Sequence, residues 1–145
     1  MRHTLSFATV TVIIGLAPLA GRCDDPIPVV VSAPPVQAVD LTGRWSGYWI
    51  SDKNGHQGPL NGTFEKVSCD QYRVRFTGRF WKVFPFLYSV KLNVVENRGD
   101  TVILAGETKL GPVMGTFRYD VTASANNFEA RFTSKGDHGR FVLSR

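Results

Sequence analysis

From residue 71 to 80 the chain reads "QYRVRFTGRF", in which Tyr72, Val74, Phe76, Gly78 and Phe80 alternate with Arg73, Arg75, Thr77 and Arg79. A period of two sends successive side chains to opposite faces of a strand, so one face is buried and the other is wet. Earlier, "GRWSGYW" spans Gly43 to Trp49. A helix would stack Trp45 over Trp49, but Gly43 and Gly47 inside it would each cost about 1 kcal/mol relative to alanine. A strand instead puts Trp45, Gly47 and Trp49 on one face, with Arg44, Ser46 and Tyr48 on the other. Short runs rich in Val, Thr, Phe, Tyr and Trp continue to the end of the chain, punctuated by "DKNGHQG", "SCD", "WKVFP", "NRGD", "LGP", "SANN" and "KGDHG". Turn residues of this kind between β-formers predict strands near 43–51, 58–67, 71–80, 86–96, 100–109, 112–122, 127–134 and 139–145, and no amphipathic helix of useful length.

Every link is short, which favours sequential antiparallel neighbours, because parallel pairing needs a dozen or more connecting residues. A meander of eight strands has two edges to hide, and closing the sheet on itself removes both. The predicted fold is therefore all-β, an eight-stranded antiparallel up-and-down barrel over residues 41–145. Gly47, Gly62, Gly78, Gly106 and Gly115 fall near the middles of five predicted strands on the parity of their apolar neighbours, where a sharply coiling strand leaves no room for a side chain. The same parity points Trp45, Trp49, Phe64, Tyr72, Phe76, Phe80, Phe86, Tyr88, Phe117, Tyr119, Phe128, Phe132 and Phe141 inward. So many rings, each burying about 150–250 Å2, fill much of a barrel this narrow, while the glycines subtract volume. A solid core and an apolar pocket both stay open; with a pocket, Gly78→Phe beside Phe76 would fill it without unfolding the protein.

A Gly-x-Trp on the first strand, here Gly43, Arg44 and Trp45, followed by seven more meandering strands, resembles the calycin superfamily of lipocalins and their relatives. The Thr-Asp-Tyr motif of the lipocalins proper is absent. The resemblance implies an arginine near the last strand packed across the tryptophan, a role for Arg140 or Arg145, and a ligand mouth at the end away from Trp45.

In a meander the turns alternate between the two ends. "SCD", "NRGD" and "SANN" share the end where the chain enters the barrel, and the other four turns share the opposite end. That opposite end collects His56, Trp81, Phe84 and His138, which with Trp49 and Phe76 inside are the candidate ligand-binding residues for a small hydrophobic molecule. Two histidines and Asp137 have metal- or haem-ligating chemistry. Loop histidines beside Gly, Lys and Asp are more simply solvated turn residues, however, and without a third clear ligand no metal or cofactor is expected. Cys69 falls at the end where the chain enters, within reach of Cys23. An internal Cys23–Cys69 disulfide, two unpaired thiols, or Cys23 in an intermolecular bond are the alternatives.

Composition adds a route. Residues 1–21 carry Arg2, then an uncharged apolar run from Leu5 to Leu16, then small residues: the pattern of a secretory signal, too short to span a bilayer. "LAGRC" nearly makes a lipoprotein site, but Arg22 separates the small residue from Cys23. Residues 22–40 hold Pro26, Pro28, Pro34 and Pro35 and read as an extended linker. A secreted or periplasmic, cell-envelope location is expected, with no transmembrane segment once the signal is removed. The formal charge is +5 and becomes +4 when Arg2 leaves with the signal, a mild balance that does not call for a nucleic-acid partner. The stripe of Arg73, Arg75 and Arg79 with Lys91 reads as a wet sheet face. No His-Glu-x-x-His, Gly-x-Ser-x-Gly or nucleophilic cysteine context appears, so an enzyme is not expected. The expected function is an exported, non-enzymatic barrel that binds a small apolar ligand; the alternative is a solid-core barrel acting through surface contacts at the cell envelope.

Overall fold

The computed structural model describes residues 39–80 and 83–145. The predicted signal, most of the linker, Cys23 and Trp81 lie outside them. Eight strands follow in order: β1 (Gly43–Ser51), β2 (Gln57–Ser68), β3 (Gln71–Phe80), β4 (Phe84–Asn97), β5 (Thr101–Lys109), β6 (Thr116–Ser124), β7 (Asn127–Thr133) and β8 (His138–Ser144). Each pairs antiparallel with the next and β8 pairs with β1, which makes a closed up-and-down barrel. The alternation seen in the sequence is the reason. Along β6, Phe117, Tyr119, Val121 and Ala123 are buried while Thr116, Arg118, Asp120 and Thr122 are exposed. All thirteen rings predicted inward belong to the core or pack against it.

The prediction misses at β6. The chain from 111 to 114 forms a one-turn helix, α1 (Gly111–Met114), and Gly115 sits at its C-terminal end with φ 74°, a left-handed turn position rather than a mid-strand one. Two consecutive glycine-bounded turns, Gly111 at φ 80° and Gly115, make a compact excursion where extended pairing was expected.

The seam between β1 and β8 closes the barrel, with Gly47 opposite Leu143, Trp49 opposite Phe141 and Ser51 opposite Gly139. A Cβ on Gly139 would run into the Ile50 carbonyl and approach the Phe132 ring to 2.8 Å, and one on Gly47 would run into the Val142 carbonyl. Gly47 holds the inward parity expected of it, directly opposite the buried Leu60 and Leu143, although it is itself accessible. Strand-to-strand approach, not interior volume, is what calls for glycine there. Gly62 and Gly78 serve a different end: an added Cβ would overlap the rings of Phe64 and Phe86, which fold across the vacant positions.

The end where the chain enters is plugged. Leu41 is fully buried, its carbonyl accepts from Trp45 Nε1 at 2.9 Å, and the Val39 carbonyl accepts from the Tyr72 hydroxyl at 3.3 Å. Arg145 lies over the Trp45 ring, its Cζ 4.6 Å from the centroid. The guanidinium donates to the carbonyls of Ala125, Thr42 and Asp40 at 2.6, 2.8 and 2.7 Å. One planar fork thus ties the entering segment to the β6–β7 turn and to the last strand, while its flat face covers the indole. Arg140 points elsewhere, to Asp52 at 3.7 Å on the exposed surface.

The outer faces of the strands carry Arg73, Arg75 and Lys91, together with exposed apolar side chains such as Tyr48 and Leu87. Among the described residues no helix is long and apolar enough to cross a membrane. The interior holds few polar side-chain atoms. The Ser51 hydroxyl donates to Asp137 Oδ1 at 2.6 Å, and the Tyr119 hydroxyl donates to the Tyr88 hydroxyl at 3.1 Å. Burial pushes the Tyr119 phenol up to about 12, offset in part by its hydrogen bond to Tyr88. Burial, then the neighbouring Tyr119, holds Tyr88 well above the ordinary phenol range.

Two outcomes are expected. Gly139→Ala should destabilise the barrel by about 1–3 kcal/mol through overpacking at the seam. Gly136→Ala, three residues away, meets no atom within 4 Å and should leave the denaturant midpoint unchanged or slightly raised. Equal effects from both would contradict the seam's role. The second concerns alkali. Below pH 10 the Tyr88 and Tyr119 phenols are neutral whether the chain is folded or not. Above it the unfolded chain releases their protons first, so stability should fall between pH 10 and about 12 by about 1.4 kcal/mol per unit for each phenol. Melting temperatures of the wild type and of Tyr119→Phe across that range measure the share due to Tyr119; parallel curves would refute it.

Candidate functional site

Opposite the plug, the barrel is open. A cavity of about 600 Å3 descends from that end between the β1–β2, β3–β4, β5–β6 and β7–β8 turns. Its size is within the 300–1,000 Å3 range common for small-molecule sites. The cavity exists because the interior rings are unevenly shared. Trp45, Phe64 and Phe128 crowd the plugged half, with Phe64 and Phe128 centroids 5.0 Å apart. Phe76 packs on Phe64 and Phe128 and also on Tyr88 and Phe141, at 5.6 and 5.3 Å. It therefore closes the floor.

Above the floor the rings line the wall instead of filling the middle. Trp49 meets Phe80 edge-on at 5.0 Å, and its Nε1 donates to the Arg79 carbonyl at 3.3 Å, which fixes the indole against the wall. Phe80 packs on Phe86 at 4.6 Å, and Phe86 stacks with Tyr88 at 6.0 Å. Further round, Phe117, Phe132 and Phe141 form a second run, at 5.8 and 5.0 Å. Leu110 and the α1 residues Val113 and Met114 line the β5–β6 side. At the rim, Phe84 and Val113 are 60% and 94% exposed, leaving apolar surface around the mouth. The opposite rim is polar, with Asn54, His56, Ser134 and Asp137.

Those polar groups are mostly committed to the turns. Asn54 Oδ1 accepts from the His56 amide at 2.9 Å. Ser134 Oγ donates to the Asp137 carbonyl and accepts from the Asp137 amide. Asp137 Oδ1 takes both the Ser51 hydroxyl and the His138 amide, and the Lys53 ammonium donates to the Gly136 carbonyl, binding the first and last hairpins together. Among the described residues no group of three or more His, Cys, Asp or Glu is placed to hold a metal ion.

Of the six ligand-binding candidates, Trp49, His56 and Phe84 line the cavity. Phe76 does not: its ring, which closes the floor, is buried and is not among the lining residues. His138 does not either. It begins β8 on the outward parity, because Gly139 and Phe141 take the inward positions, and its side chain is exposed. Trp81 lies outside the described residues. Gly78→Phe is not a plug, since a Cβ there already overlaps the Phe86 ring and comes within 2.7 Å of the Pro59 carbonyl. Cys69 sits exposed in the β2–β3 turn, and no free cysteine occurs among the described residues; its predicted partner Cys23 is not among them. Tyr88, Phe132, Leu110 and Met114 were not singled out as site residues. Alternation placed the rings inward but carried no sign of depth, and nothing in "LGPVMG" marks a one-turn helix whose side chains line a mouth.

No family model matches the chain, and no curated protein matches it in sequence. Among solved structures, a de novo designed fluorescence-activating β-barrel is similar to it, with a TM-score of 0.54 over 72% of this chain and 93% of that one. The two are 16% identical, so the likeness is one of fold: a closed antiparallel β-barrel.

Proposed function

We propose that this protein is an exported, non-enzymatic barrel of calycin type that holds one small, largely apolar molecule in its open half. The observation that carries the reading is the asymmetry of the interior. One half is packed solid and stapled shut by Arg145, and the other keeps about 600 Å3 ringed by Trp49, Phe80, Phe86, Phe132 and Phe141. Protein interiors close-pack, and a void of this size lined by rings forfeits contacts that an apolar guest would restore. The exposed rim of Phe84, Val113 and Met114 supports entry from that end. Export rests on the apolar leader and the proline-rich stretch after it.

The test uses the purified mature protein with N-phenyl-1-naphthylamine, whose fluorescence rises in apolar surroundings. One equivalent should bind with a Kd on the order of 10 μM, the value for a molecule of this size at about −0.4 kcal/mol per heavy atom. Quenching of Trp49, removed in Trp49→Phe, should accompany it. Gly136→Trp adds an indole to a cavity-lining turn at a position where a Cβ meets no neighbour, and should weaken binding at least about fivefold with the melting temperature unchanged. A probe that shows no saturable enhancement, or binding indifferent to Gly136→Trp and Trp49→Phe, would overturn the reading in favour of a barrel acting through its outer surface.

A further inference from the structure

Among the described lining residues, the side chains below the rim are hydrocarbon except for the Trp49 indole N–H, already bonded to Arg79, and the Tyr88 hydroxyl. Tyr88 on β4 lines the cavity, and its hydroxyl accepts the proton of Tyr119 on β6 at 3.1 Å. Two hydroxyls bring two protons, and the bond between them consumes one. Tyr119 is buried with no other acceptor at hand, whereas Tyr88 lines the cavity, so the arrangement of lower cost has Tyr119 donate and leaves the spare proton on Tyr88, where a guest can take it. The nearest rings to Tyr88, Phe76 and Phe86, offer no acceptor, and among the described residues its hydroxyl has no bond other than that with Tyr119. An O–H left without an acceptor in an apolar chamber is costly, which makes it a strong selector of whatever enters.

Charge narrows the class. Among the described residues no lysine or arginine lines the cavity, and Asp137 at the rim is the one carboxylate there. An anionic head group would lose its hydration with no countercharge in return. A neutral acceptor oxygen on a flat body suits both the ring-lined wall and the single donor.

We propose that the Tyr88–Tyr119 pair is the cavity's hydrogen-bond anchor, and that the molecule it selects is a neutral aromatic compound carrying a carbonyl oxygen, such as an aryl ketone or ester. This rests on the open half being a ligand pocket. Tyr119 is a positioning residue: it occupies one lone pair of the Tyr88 oxygen and so turns the Tyr88 proton away from itself. The persistence of both phenols in their neutral form at ordinary pH keeps the donor in place.

Two probes of nearly identical shape separate the anchor from the pocket: 2-acetylnaphthalene and 2-isopropenylnaphthalene, which differ by C=O against C=CH2. The quantity read is the ratio of their affinities for the full mature protein. In Tyr88→Phe the ratio should fall about fivefold against the ketone, the effect of one net hydrogen bond, with the hydrocarbon's own affinity nearly unchanged. In Tyr119→Phe the Tyr88 donor survives, and the ratio should stay within about twofold of the wild type. Hydrocarbon binding with a ratio indifferent to Tyr88→Phe would overturn the anchor and leave the pocket standing. A fall of the ratio in Tyr119→Phe but not in Tyr88→Phe would also overturn the assignment. If N-phenyl-1-naphthylamine and the hydrocarbon both fail to bind the wild type, the pocket reading itself falls, and the anchor with it.

Discussion

Closure of β1 onto β8 is the constraint on which the rest of this structure depends. An open eight-stranded meander would present two unpaired edges and one broad apolar face, and nothing else among the described residues is available to cover them. The seam achieves closure by bringing two backbones so near that Gly47 and Gly139 have no space for a Cβ. Once it forms, every inward side chain faces a common axis, and the Ser51–Asp137 and Lys53–Gly136 bonds lock the first hairpin to the last. The site inherits this geometry, since Trp49 and Phe141 sit opposite each other across the same seam.

A closed barrel still has to decide what happens at its ends. At the entry end the chain supplies its own stopper, Leu41 beneath Trp45, and Arg145 fastens it through three backbone carbonyls. At the other end no such stopper is present among the described residues; α1 lies along the rim and contributes Val113 and Met114 to the wall. The rings of Trp49 and Phe86 are held against the strands, the first by its bond to Arg79, the second by folding over the space left by Gly78. Bulky side chains pressed outward in this way leave the middle open. Glycines that seem to create cavity volume in the sequence instead make room for neighbouring rings at the wall.

Much of this was legible in advance. Alternation and turn chemistry act over a few residues, so strand limits such as 43–51 and 71–80 coincide with the observed ones, and every ring assigned inward lies in or against the core. The exception has a local cause: Gly115 follows a helical turn that neither its parity nor its neighbours announce. Of the candidate site residues, His56 and Phe84 reach the cavity lining as the sorting of turns between two ends implied, and Trp49 as its inward parity implied. Phe76 was misplaced because parity gives direction but not depth, and His138 because a turn residue one position before an inward glycine faces out.

What the amino-acid order settled by itself is therefore the set of near-neighbour facts: eight strands, their faces, their sequential antiparallel order, and which turns share an end. These follow from a period of two and from short connections, both of which are properties of the chain read along its length. The meeting of Tyr88 with Tyr119, the choice of Arg145 over Arg140 as the partner of Trp45, and the division of the interior into a packed half and an open half belong to the tertiary structure alone. Each depends on the shear and coil of the closed sheet, which set how far along the axis a side chain lands and which distant neighbour it meets there.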